Sequence, residues 1–311
     1  MSEIKKVIVV GAGGFLNPIV ISSLQSHGFS VSVLVRNTSN VVPPAGITVY
    51  RTDYSGSSLL LAFKDQDAVV NTITMPDFEA QKKMIDIAVL AGVKRFIPAE
   101  FGIDTSKEET VEIMTFLKMK PQIIQYLRSI QDKITWTGII TGPFFDWSLR
   151  QGFFSFDVPS RTAYIHQPGH HTHRFSWSNL ANVAEAVAHV LLSKNFPIVD
   201  NRYVHVRSFN ASQDEILQSL ISATKRVDIA RGRDHTEWKI VDVGLEEKVL
   251  EARNKLAQGD TDSLGYILSK AIYRTGGNYD LEGVVMNEKL GMELEESLDA
   301  TVEREVTKLL P

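Results

Sequence analysis

The chain has 311 residues, 43% of them hydrophobic and 23% charged, which suits a large α/β body with a smaller elaboration and gives no compositional case for disorder. A formal net charge of -4 offers no basic surface for a phosphate backbone, so nucleic acid is not an expected partner. Cysteine is absent, which removes disulfides, thiolate nucleophiles and Cys-ligated zinc, and no apolar run reaches membrane-spanning length, so a cytoplasmic protein without a membrane partner is expected.

Residues 7–10 are a continuous apolar run, as in a strand covered on both faces of a parallel sheet. A glycine-rich turn follows, then a helical pattern over 15–27. Pro18 falls in its first turn, where the missing N–H is not needed, and Gly28 stops it. The alternation continues with strands at 31–35 and 47–50, a helix at 57–63, a strand at 68–73, and a helix at 78–91 closed by Gly92. A strand at 94–97, a helix at 121–130 and a strand at 136–140 complete it. This order predicts an α/β doubly wound (Rossmann) parallel sheet with right-handed crossovers. Beyond Trp147 the pattern turns aromatic and glycine-rich, followed by helices over 179–192, 211–224, 245–256 and 294–309. The expected division is a nucleotide-binding domain over 1–150, with 175–207 added to it. A smaller, mostly helical substrate lobe would take 151–174 and 208–311.

The turn reads Gly11-x-x-Gly14-x-x-Asn17, with Gly13 giving a Gly-x-Gly start. Glycines between strand and helix let the backbone approach a pyrophosphate, whose charge then meets the positive helix N-terminus. The plainer reading is a tight connection, and Asn17 in place of the third glycine lends it weight. The second strand ends in Val35-Arg36-Asn37, without the acid that would accept a ribose hydroxyl. Arg36 can instead pair with a 2′-phosphate, so NADPH is the expected cofactor.

Three segments carry a family resemblance: "VGAGGFL" in the turn, "LVRN" at the second strand and "AGVKRFIPAEFGID" over 91–104. The chain resembles the atypical short-chain reductases that comprise the isoflavone reductase-like and NmrA-like proteins, fungal members above all. The resemblance implies an NADP-dependent oxidoreductase of secondary metabolism. It also implies a general acid or base lysine opening the helix after the third segment, which matches Lys120, with Lys118 two residues earlier leaving the register open. The expected cofactor set is Gly11, Gly13, Gly14, Phe15, Leu16, Asn17, Arg36, Asn37, Thr74, Glu100, Phe101 and Lys120. The chain departs from the plant reductases at Ile124, where they often carry arginine, and has no evident second phosphate-binding lysine around 43–47. Substrate identity therefore does not transfer.

Three further groups compete for a role. Tyr266 and Lys270 have the Tyr-x-x-x-Lys spacing of ordinary short-chain dehydrogenases but lie far downstream, where they read as helical neighbours. His166, His170, His171 and His173 read as a solvated hairpin tip around Pro168-Gly169, and no metal site is expected. Phe144, Phe145, Trp147, Phe153 and Phe154 follow a strand whose end faces the crevice; a substrate wall and plain core packing stand level. The expected function is NADPH-dependent reduction of a small aromatic or conjugated metabolite. A noncatalytic dinucleotide sensor regulating a protein partner, and a redox-neutral enzyme that retains the cofactor, are the alternatives.

Overall fold

A computed structural model describes residues 3–42, 46–73, 77–261, 263–292 and 296–310. Its first six strands are β1 (Lys6–Val10), β2 (Ser30–Arg36), β3 (Thr48–Thr52), β4 (Ala68–Asn71), β5 (Arg95–Ile97) and β6 (Thr135–Ile140). Then come β7 (Phe156–Asp157), β8 (Thr162–Gln167), β9 (Phe175–Trp177), β10 (Arg202–His205), β11 (Phe209–Ala211) and β12 (Lys239–Gly244). Seven strands form one parallel sheet in the order β10-β6-β5-β4-β1-β2-β3.

The central strands are apolar on both faces because both faces are covered. Val7 and Val9 join the core beneath helices Asn17–Ser26 and Leu180–Leu191. Ile8 and Val10 join the opposite core, beneath helices Gly56–Phe63, Phe78–Leu90 and Met119–Ser129. The order reverses between β1 and β4, so a crevice opens beyond their carboxyl ends, where doubly wound sheets bind ligands.

Outside the large sheet lie a three-stranded sheet, β12-β8-β7, and a two-stranded one, β11-β9, with helices Gln213–Ala230, Leu245–Ala257, Leu264–Thr275 and Leu298–Leu309. The small sheets were not expected in a mostly helical lobe. The expected hairpin at 166–173 does not form, because β8 pairs with β7 and β12 while β9 pairs with β11. Nor is that segment wholly solvated, since His166 is buried. Helix 211–224 begins later and runs on to Ala230, capped reciprocally by Ser212 and Glu215. Of the expected helix over 294–309, the first residues lie partly outside the described chain.

Candidate active site

A groove of about 820 Å³ opens at the crevice, walled by the glycine turn, Asn17, Arg36, Tyr54 and Thr72. Gly11 has φ +98°, and a Cβ there would lie 2.6 Å from Ile73 Cγ2. A Cβ on Gly13 would lie 2.7 Å from Val41 Cγ2. Gly14 differs, because its Cβ would meet nothing nearer than Asn17 Nδ2 at 3.4 Å. Two of the glycines therefore serve the turn itself, and the third leaves the approach from the groove clear. Helix Asn17–Ser26 starts here with no side-chain cap on its first N–H groups, which leaves donors for an anion.

Arg36 is exposed at the end of β2 and lines the groove. The loop after it is fastened by Arg51, whose Nη1 donates to Ser39 O at 2.9 Å. Asn37 hydrogen-bonds through its backbone N–H to Thr52 O at 2.8 Å. Leu16 is buried in the core, and Thr74 lies outside the described residues. The cradle, the uncapped helix end and an arginine in place of an acid after β2 together fit a phosphorylated dinucleotide.

After β5 the chain turns through Glu100, Phe101 and Gly102. Phe101 takes φ +22°, and Gly102 O accepts from the backbone N–H groups of Thr141 and Gly142, each at 3.0 Å, tying the turn to the end of β6. The Glu100 carboxyl is buried and accepts the Thr105 hydroxyl. Burial pushes its pKa up, while the Lys120 charge and the Thr105 hydrogen bond pull the other way. The Lys120 ammonium donates to the backbone carbonyl of Glu100. Burial lowers the Lys120 pKa, opposed by the Glu100 charge. Lys118, the helix N-cap, is exposed.

Lys120 borders a second pocket of about 190 Å³, whose walls include Phe101, Phe144, Trp147, Phe153 and Phe154. Phe145 turns away, 2% exposed, with its ring edge-on to Trp177 and Phe209. Phe15, 46% exposed, stacks on Trp147 at 4.8 Å and meets Phe144 edge-on. The glycine turn and the aromatic pocket are thus joined by direct contact. Tyr266 packs near His166 at a ring distance of 5.6 Å, and Lys270 pairs with Glu246.

Residues 3–227 match the NmrA-like family. The chain belongs to the NmrA-like family. This NmrA-like chain is 36% identical to the oxidoreductase aprR of Aspergillus flavus over 259 residues, which cover 82% of each protein. An isoflavone reductase homolog of Zea mays is 34% identical over 123 residues, 36% of this chain and 40% of the relative. A Vitis vinifera leucoanthocyanidin reductase bound to NADPH has the same fold, with a TM-score of 0.74 over 97% of this chain and 99% of that one at 16% identity. The structure titled AtPrR2 with NADP+ and (+)pinoresinol gives 0.72 over 98% and 100%, at 18% identity. The NmrA-like chain is accordingly an oxidoreductase with an isoflavone reductase-like Rossmann fold.

Sequence reasoning missed Thr72, Tyr54 and Arg51. Thr72 was within reach, as it directly follows β4 at the reversal point. Its hydroxyl donates to Val10 O at 2.8 Å, joining the ends of β1 and β4. Arg51 sits on the edge strand β3 and Tyr54 just after it, where no local pattern marks them.

Proposed function

We propose that this chain is an NADPH-dependent reductase of a small aromatic or conjugated metabolite, in which Lys120 moves the proton. The carrying observation is the Lys120 amine, desolvated and held by Glu100 O, on the wall of an otherwise apolar aromatic pocket. A bound nicotinamide supplies a hydride. Arg36 would pair with the 2′-phosphate, and the turn at Gly11 to Gly14 would cradle the pyrophosphate. Phe144, Trp147 and Phe153 would hold a flat substrate and exclude water. At about 190 Å³ the pocket is smaller than the roughly 300–1,000 Å³ of drug-sized sites, which suits one ring system. With hydride delivered to one atom of a polarised bond, Lys120 would supply the proton to the other.

In this reading 1–150 and 175–207 hold the cofactor, which the packing of helix Leu180–Leu191 and β10 on the large sheet supports. Segments 151–174 and 208–311 form the substrate side, supported by Phe153, Phe154 and Leu268 in the pocket wall. A noncatalytic sensor has no use for a desolvated amine in such a pocket.

The test is NADPH oxidation with aromatic enones, imines and benzylic ethers, by wild-type protein and by Lys120→Met. Turnover with some panel member should fall about 10²–10⁴-fold in the variant while NADPH affinity stays within about twofold. A variant as fast as wild type, or a wild-type protein that oxidises no NADPH across the panel, would refute the proposal.

A further inference from the structure

Far from this pocket, helix Asn17–Ser26 ends at His27, and helix Leu180–Leu191 packs beside it carrying Glu185 and His189 one turn apart. His27 Nδ1 lies 2.8 Å from Ser23 O, and His189 Nδ1 lies 2.9 Å from Leu290 O. A carbonyl only accepts, so each Nδ1 must carry the ring proton. In the neutral ring each Nε2 then presents a lone pair. Both Nε2 atoms face the same Glu185 Oε2, at 3.4 Å from His27 and 3.7 Å from His189. The three atoms all lie within 4.8 Å of one another. Three electron-rich atoms converging in this way repel unless a cation sits among them.

The outer hydrogen bonds of a metal site are already in place. Each histidine donates its other nitrogen to a backbone carbonyl, and Glu185 Oε1 accepts the Ser23 hydroxyl at 2.7 Å. In tetrahedral zinc, with bonds of about 2.0–2.1 Å, ligand atoms stand about 3.3–3.4 Å apart, so the His189–Glu185 spacing of 3.7 Å needs to close by about 0.3 Å and the His27–His189 spacing, no more than 4.8 Å, by at most about 1.4 Å, within the reach of side-chain rotation. We propose that His27, Glu185 and His189 form a divalent transition-metal site, with zinc as the ion of choice. Two imidazoles and a carboxylate suit zinc, whereas magnesium and calcium want oxygen ligands throughout. His27 and Glu185 are 22% and 25% exposed, so the ion can enter and water can complete its shell.

The ion would staple the end of the helix that starts at the glycine turn onto helix Leu180–Leu191. A ten-residue helix spans about 15 Å, so the site lies too far from the groove to touch the reaction. This proposal departs from the absence of metal expected from the sequence. Glu185-x-x-x-His189 is a helical pair, and His27 joins it only through the fold.

The experiment is calorimetric titration of Zn²⁺ into untagged, EDTA-stripped full-length protein, with X-ray absorption on the loaded sample. One zinc per chain should bind, with two imidazoles in its shell, and should raise Tm in a way that EDTA reverses. His27→Ala and Glu185→Gln should each weaken binding at least about tenfold. The double variant His171→Ala/His173→Ala should bind as wild type does. Absence of stoichiometric binding by wild type overturns the site. Binding that survives His27→Ala, or is lost in the double variant, places the ion elsewhere and equally overturns it. Should His27→Ala fail to fold, Glu185→Gln still decides, and binding that survives it overturns the site.

Discussion

Gly14→Val separates the cofactor role of the glycine turn from its structural role. The added side chain finds no backbone clash, because its Cβ meets only Asn17 Nδ2 at 3.4 Å and Gly14 does not take positive φ. Folding should be nearly unchanged, with Tm within about 2 °C of wild type. The γ-carbons would, however, crowd the backbone that the proposed pyrophosphate approaches. Loss of even one hydrogen bond to a charged group costs about 1.5–3 kcal/mol, which is roughly a 10–150-fold rise in Kd for NADPH. Gly11→Ala supplies the contrast, since it combines φ +98° with a 2.6 Å contact to Ile73 Cγ2 and should lower Tm outright. Fluorescence titration of NADPH beside a thermal melt reads both effects. A Gly14→Val protein that melts and binds like wild type would refute the cradle.

Arg36→Ala should weaken NADPH by about 1.5–3 kcal/mol while leaving NADH nearly unaffected, and equal losses for the two would reject the phosphate contact. Phe145→Ala should cost about 3–5 kcal/mol in chemical denaturation, as a large buried ring does, whereas Trp147→Ala should mainly raise KM; the reverse pattern would exchange their roles. Burial, aided by the charge of His170, lowers His166 from 6.5 to about 4. The unfolded chain therefore binds the extra proton first, so stability should fall as pH drops from 6.5 towards 4, by about 3 kcal/mol in all. Denaturation of His166→Gln over that range should show a flatter pH dependence, and an unchanged slope would exclude His166 as the source.

Strands β1, β2, β4, β5 and β6 of the large sheet are legible in the sequence because each is a short, largely buried apolar run, whereas β10 (Arg202–His205) is polar and rejoins β6 only after the chain has passed through β7, β8 and β9. The small sheets are not legible either. β12 is mostly exposed, so it lacks an apolar stripe, and it pairs with β8 some distance back along the chain. The aromatic group was half legible for a related reason. Helix Phe145–Gln151 went unread, and its turn aims Phe145 into the core while Phe144 and Trp147 face the pocket. Lys118 and Lys120 could not be separated along the chain. In the fold the first is an exposed cap and the second reaches back to Glu100 O. The His27, Glu185 and His189 cluster was hidden because its two halves lie on helices joined only by packing.

The central claim is that Lys120 handles the proton, and the pH dependence of kcat tests it most directly. Burial and a place in the first turn of helix Met119–Ser129 both disfavour the ammonium form, so the lysine should titrate below its ordinary 10.5. Wild-type kcat should therefore carry an ionisation below that value, and residual turnover by Lys120→Ala should lack it. A Lys120→Ala enzyme that keeps the same ionisation and most of its rate would contradict the account.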